Sequence, residues 1–89
     1  MKPIRLSKKF DKAYLKLIRS SPEFRTNYIR RVLFFKSGER GYPLNDHALG
    51  GKLSGKRVFS ITSDIRVVYE ETEKEIIFLD IGTHNQVYK

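Results

Sequence analysis

Apolar residues recur at two different spacings along this chain, a helical one through the first part and a strand-like one through the last. Pro3 to Leu6 reads as a short first strand that stops at Ser7, a residue type that caps a helix by accepting an N–H from its first turn. Phe10, Ala13, Tyr14, Leu17 and Ile18 then fall on one stripe, which predicts a helix from Ser7 to about Arg19. Ser20-Ser21-Pro22 breaks it and starts another, because Ser21 can cap while Pro22 occupies the first helical position, where its missing N–H costs nothing. The second helix is expected to run to about Lys36, burying Phe24, Tyr28, Val32 and Phe35, with Ile29 and Leu33 widening that stripe.

From Ser37 to Gly55 the periodicity disappears among five glycines and one proline. So long a connection in a compact domain is either a functional loop or plain flexible chain. Alternation of period two follows, predicting strands at about Arg57 to Thr62, Ile65 to Glu70 and Glu75 to Ile81, joined by turns at Ser63-Asp64 and Glu71 to Lys74. The expected fold is a single α+β domain over residues 1–89: two N-terminal helices packed on one face of a small, mainly antiparallel sheet.

Strand parity sorts the side chains by face. Phe59, Ile61, Ile65, Val67, Tyr69, Ile77, Leu79 and Ile81 are expected to face the helices. Val58, Ser60, Arg66, Val68, Ile76, Phe78 and Asp80 are left for the opposite, open face.

Charge narrows the choice of partner. Eighteen Lys and Arg against ten Asp and Glu give a net charge of +8, spread from Lys2 to Lys89. Such a surface either meets a polyanion or simply keeps the protein soluble. The absence of cysteine excludes a thiolate nucleophile and a Cys-based zinc site, and leaves the redox compartment unmarked. The N-terminus turns polar at Ser7-Lys8-Lys9, without a signal-peptide core or membrane-length segment, so the expected location is cytoplasmic with no membrane partner.

Candidate chemistry sits in the second half. Arg66, on the open face, either holds a phosphate through its fork of N–H donors or neutralises Asp80; the nearby Lys52, Lys56 and Arg57 favour phosphate. The only two histidines, His47 in the long loop and His84 after the last strand, are placed to reach the rim of that face. Metal-free RNA cleavage needs a base for the 2′-hydroxyl proton, an acid for the leaving 5′-oxygen and cations for the transition state. Histidine does the proton work best near neutral pH. Each histidine also has an ordinary surface or structural reading, and the two lack a compact ligand cluster, so neither metal nor cofactor is expected.

The segments Asp46-His47-Ala48-Leu49, Leu53-Ser54-Gly55, Arg57-Val58-Phe59-Ser60-Ile61, Asp64-Ile65-Arg66-Val67-Val68-Tyr69 and Asp80-Ile81-Gly82-Thr83-His84 resemble, in this order, the RelE/ParE toxin superfamily. Within it the chain is most similar to the YafQ-like branch of bacterial type II toxin–antitoxin systems, over essentially its whole length. The resemblance implies a ribosome-dependent mRNA endonuclease that cuts by 2′-hydroxyl attack, without metal. Its implied partners are a cognate antitoxin, mRNA on the ribosome with 16S rRNA contacts, and operator DNA only through the antitoxin complex. Carried over by residue, it implies catalytic roles for His47, Asp64, His84 and Tyr88. Arg66 matches a phosphate-holding arginine of related RelE and YoeB toxins, and Arg57 a basic active-site residue of RelE.

Three positions depart from the branch. Ser60 stands where it has a further histidine, Ile65 where it has a tryptophan, and Asp80 where it has an arginine. The first removes a proton-transfer group and the last opposes a polyanion. Two other readings therefore stay open: a degenerate toxin retained for its antitoxin complex, and the gyrase inhibition of ParE-like relatives, which has no use for paired histidines.

Overall fold

The computed structural model describes residues 2–88; Met1 and Lys89, the last of the basic residues, lie outside the described residues. Strand β1 (Ile4–Leu6) leads into helix α1 (Lys8–Ser20) and helix α2 (Phe24–Lys36). A long connection then reaches the two-residue strand β2 (His47–Ala48) and a 3₁₀ turn at Gly51–Leu53. Strands β3 (Arg57–Ser60), β4 (Ile65–Glu71) and β5 (Ile76–Thr83) form a meander that ends in one helical turn, α3 (His84–Val87). The sheet order is β1-β5-β4-β3-β2, antiparallel throughout except that β1 runs parallel to β5, with Ile4 opposite Ile76 and Leu6 opposite Phe78. The α+β architecture is the expected one.

Ser7 caps α1 as its sequence position predicts. Its hydroxyl accepts the Phe10 N–H at 3.0 Å and donates to the Leu79 carbonyl at 2.9 Å, which ties the helix start to the sheet. Phe10 is buried, and Ala13, Tyr14, Leu17 and Ile18 pack on the core beside it. Helix α2 begins two residues later than expected. The Ser21 hydroxyl donates to the Glu23 carboxylate instead of capping, and the segment from Ser21 first makes tight turns through i→i+3 bonds. Phe24, Tyr28, Val32 and Phe35 do face the core. Ile29 and Leu33, expected to widen that stripe, stand 49% and 60% exposed, because α2 touches the rest of the fold along one narrow line and these two lie about 100° round the helix from it.

Between helices and sheet, Phe35 stacks on Phe59 at 4.7 Å between centroids and meets Tyr69 edge-on at 4.9 Å, while Phe10 lies 5.5 Å from Phe78. These are separations at which aromatic quadrupoles attract.

The expected facing of β5 requires a correction. Val68 pairs with Asp80 but Tyr69 pairs with Phe78, so β5 carries one extra residue, Leu79, at a β-bulge. The bulge reverses parity upstream of it. Ile76 and Phe78 are buried against the helices, and Leu79 packs with Val58, Val68 and Val87 on the other face. Residues 76–79 are all apolar, so alternation holds no signal there. β5 also runs two residues past its predicted end and continues into α3. Val87 then buries itself on Val58 and Val68, and that half of the face is roofed rather than open.

The connection before β2 is anchored at two points. Leu44 is fully buried and its carbonyl accepts the Ser60 N–H at 2.7 Å; Asp46 makes the second anchor. Together the two anchors set where His47 stands.

Candidate functional site

Asp46 holds the end of the loop against the sheet. Its backbone N–H donates to the Arg40 carbonyl at 2.8 Å, and its side chain is 0% exposed. Arg57 donates Nε at 2.8 Å and Nη2 at 2.7 Å to Oδ1, the Tyr69 hydroxyl donates to Oδ2, and Arg40 Nε lies 3.8 Å from Oδ2. Pairing of this kind offsets the cost of taking a carboxylate out of water. The hydrogen bond to Asp46 raises the pKa of Arg57, and burial together with that carboxylate raises the pKa of the Tyr69 hydroxyl. The guanidinium of Arg40 also lies 3.9 Å over the Phe35 ring and donates to the Phe35 carbonyl at 2.7 Å, joining the loop to α2.

This anchor presents His47, the first residue of β2, opposite Val58. Asn45 takes a left-handed φ of 50°, which asparagine tolerates, and so turns its carbonyl toward the imidazole. Nδ1 of His47 lies 2.9 Å from that oxygen. A carbonyl only accepts, so Nδ1 carries the proton and Nε2 of the neutral ring keeps its lone pair.

His84 is placed by a different device. Thr83 caps α3, its hydroxyl accepting the Gln86 N–H at 3.3 Å while Gln86 Oε1 accepts the Thr83 N–H at 2.8 Å, a reciprocal capping box. One turn on, Tyr88 donates its N–H to the His84 carbonyl at 3.1 Å. The two rings meet edge to face, 4.2 Å apart at 88°. Gly82 makes room for this turn, because a Cβ there would lie 2.6 Å from Gln86 Oε1.

His47, Lys52, Arg66, His84 and Tyr88 line one depression of about 440 Å³, with Leu49 and Leu53 as its apolar part. No carboxylate lines it, and no ion pair among the described residues involves Arg66. Two imidazoles, two cations and a phenol around an apolar floor suit an anion joined to a flat ring. Five of the eight residues singled out from the sequence thus come together. Lys56 and Arg57 do not line the depression, and the fork of Arg57 is engaged by Asp46. Asp64, in the β3–β4 turn, lines a separate depression with Leu17, Phe24 and Asn27.

The departures from the toxin branch resolve individually. Ser60 lies opposite Arg66 in the ladder, so a proton-transfer group at that position would have neighboured the arginine. Ile65 packs on the main core. Asp80 is not the partner of Arg66; it lies 3.5 Å from Lys9, on the α1 side. Asp46, Tyr69 and the Thr83–Gln86 box are the supporting residues that sequence reasoning missed. The box had a local signature in its Thr-x-x-Gln spacing, whereas nothing local links Asp46 to Tyr69. Among the described residues, no group of three or more His, Cys, Asp or Glu side chains is clustered to hold a metal ion, and no helix is long and apolar enough to cross a membrane.

The profile of the family described as "Bacterial toxin of type II toxin-antitoxin system, YafQ" matches residues 2–89. No curated protein matches the chain. Among solved structures, YafQ from E. coli strain BL21(DE3) is similar with a TM-score of 0.81 at 21% identity, over 100% of both chains. A copper-bound mutant toxin from Helicobacter pylori is similar with a TM-score of 0.84 at 29% identity, over 99% of this chain and 100% of that one. The YafQ chain of the E. coli DinJ–YafQ complex is similar with a TM-score of 0.79 at 22% identity, over 100% of both chains.

Proposed function

Because the chain belongs to the YafQ family of toxins of type II toxin–antitoxin systems, we propose that it is a ribosome-dependent mRNA endonuclease and that the depression between His47 and His84 is its cleavage site. The observation that carries this reading is the convergence of both histidines with Arg66, Lys52 and Tyr88 around one carboxylate-free hollow. In the proposed reaction the bare Nε2 of His47 takes the proton of the 2′-hydroxyl as its oxygen attacks phosphorus. The bond from phosphorus to the 5′-oxygen breaks, and protonated His84 supplies the proton to that oxygen. The products are a 2′,3′-cyclic phosphate and a 5′-hydroxyl. Arg66 and Lys52 hold the non-bridging oxygens, where charge grows in the transition state. Tyr88 stacks on a base beside the cut. Asp64 and Arg57 lie outside this hollow, and Arg57 acts by holding Asp46, hence His47.

The ribosome enters this reading through the resemblance to the toxin branch, which implies a transcript presented by the translating ribosome to the hollow. A cognate antitoxin would cover the hollow and reach operator DNA as part of the complex, as the E. coli relative is found bound to DinJ.

Primer extension on a defined mRNA translated by purified ribosomes tests the reading. Discrete cuts are expected with ribosomes only, reduced by about 10²- to 10⁴-fold in His84→Ala. Folded protein that makes no cuts would instead identify a toxin-fold binding protein acting through its antitoxin, the reading that the missing histidine at Ser60 favours.

A further inference from the structure

A second groove of about 420 Å³ lies between one flank of α1 and the end of β5, and Gln86 forms part of its wall. The turn α3 therefore separates two hollows, presenting His84 and Tyr88 to one and Gln86 to the other. Lys9, Lys12 and Lys16 line the second from a single side of α1, spaced over roughly 10 Å of helix axis. Like charges at such spacing work against a helix, and Asp11, the one carboxylate on α1, does not line the groove.

Asp80 is the one carboxylate lining it. Its Oδ2 lies 3.5 Å from Lys9 and its Oδ1 accepts the Ile81 N–H at 2.9 Å. The Asp80 side chain is 14% exposed and that of Lys9 77%. The carboxylate is thus set back under an ammonium group that remains in solvent, with Lys12 and Lys16 left over. No aromatic ring lines the groove, so it offers charge without a surface for reading bases.

We infer that the Lys9–Lys12–Lys16 groove is a second RNA site, one that grips the sugar–phosphate backbone of a stretch adjoining the segment held beside His84, without selecting its sequence. The inference rests on the RNA-cleaving reading of the first hollow, which α3 makes its neighbour. An acidic protein segment is the less fitting occupant. Such a partner needs free apolar anchors, whereas Ala13, Leu17 and Ile81, the apolar residues lining the groove, are packed in or against the core, and the exposed Leu33 and Phe34 line a different depression on α2.

The test is fluorescence anisotropy of a labelled single-stranded RNA, 2′-O-methylated so that it resists cleavage, titrated over a range of salt. The intact protein is compared with the triple Lys→Gln variant at 9, 12 and 16, the matching triple Lys→Arg variant, Asp80→Asn and Arg66→Gln. Removing three phosphate contacts lowers the slope of log K against log salt by about two and weakens binding at low salt by roughly a hundredfold. The arginine variant keeps both values, and Asp80→Asn binds more tightly than the intact protein.

If the glutamine variant binds like the intact protein while Arg66→Gln binds weakly, the groove proposal fails and the cleavage-site reading stands. If RNA binding responds to neither set of substitutions, both fail. If the glutamine variant keeps its RNA affinity but loses affinity for poly-glutamate, the groove docks protein and the proposal is overturned.

Discussion

Asp46 is the side chain on which the first hollow most depends, although it lines none of it. Three polar partners from the loop, β3 and β4 meet on its carboxylate, and the next residue in the chain is His47. Asp46→Ala leaves the Tyr69 hydroxyl without a partner in a covered position, while Arg57, with its side chain 41% exposed, turns to solvent. It is expected to cost about 2 kcal/mol, read as a lower urea midpoint. Tyr69→Phe removes a single donor and is expected to cost about 1 kcal/mol. Cleavage should follow a different order from stability. The tyrosine variant keeps the Arg57 fork and hence most activity, whereas Asp46→Ala loses activity even at temperatures where it stays folded. Equal activity in the two folded variants would show that the anchor does not position His47. Asp46 was visible in the sequence only as the neighbour of a histidine, because its two hydrogen-bond donors in the sheet, Arg57 and Tyr69, lie 11 and 23 residues away and pairing over such distances leaves no local pattern.

Between strand and helix, the junction Gly82-Thr83-His84 converts a backbone detail into the direction of an imidazole. Gly82→Ala forces Gln86 off its present position, since the new Cβ would lie 2.6 Å from Oε1. Gln86 is a flexible side chain, so the expected loss is that of a cap, about 1 kcal/mol, together with a larger fall in cleavage as His84 and Tyr88 lose their register. In a Gln86→Ala background the same glycine substitution should cost little more. A double-mutant cycle on thermal stability measures this coupling, and simple additivity would remove the capping box from the account. Both N-terminal helices were legible because each carries an apolar stripe and a start signal. The facing of β5 was not, because a bulge inside an unbroken apolar run changes the side of every residue before it without changing the composition. Likewise the extent of the roof over the sheet's second face depends on Val87, one residue too few to show a period.

For the molecule as a whole, alkaline pH is the informative stress. Burial, with Tyr14 and Asp11 nearby, pushes the Tyr28 hydroxyl up to about 12 from its ordinary value of 10, and Tyr69 is raised as well. Between those two values the unfolded chain releases protons that the folded chain still holds, so stability, fully present below pH 10, is expected to fall as the pH rises toward 12. Denaturant midpoints measured over that range should slope downward, less steeply in Tyr28→Phe. An unchanged slope in that variant would assign the effect elsewhere. The net charge of +8 pointed toward a polyanion before any fold was known, but composition carries no positions. Only the folded chain separates Asp80 from Arg66 and sets it beneath Lys9.

The parallel pairing of β1 with β5 also governs when this protein comes into being. Among the described residues, Ile4 to Leu6 have as their only ladder neighbours Ile76 to Phe78, in the strand farthest from them along the sequence. Until that strand exists, the first strand has no partner, Ser7 has no Phe78 carbonyl to bond, and α1 has no floor. The turn bearing His84 and Tyr88 is made later still. The hollow lined by His47 and His84 therefore cannot exist in the chain before residues some seventy positions apart have met, and no N-terminal portion that stops short of β5 can assemble it.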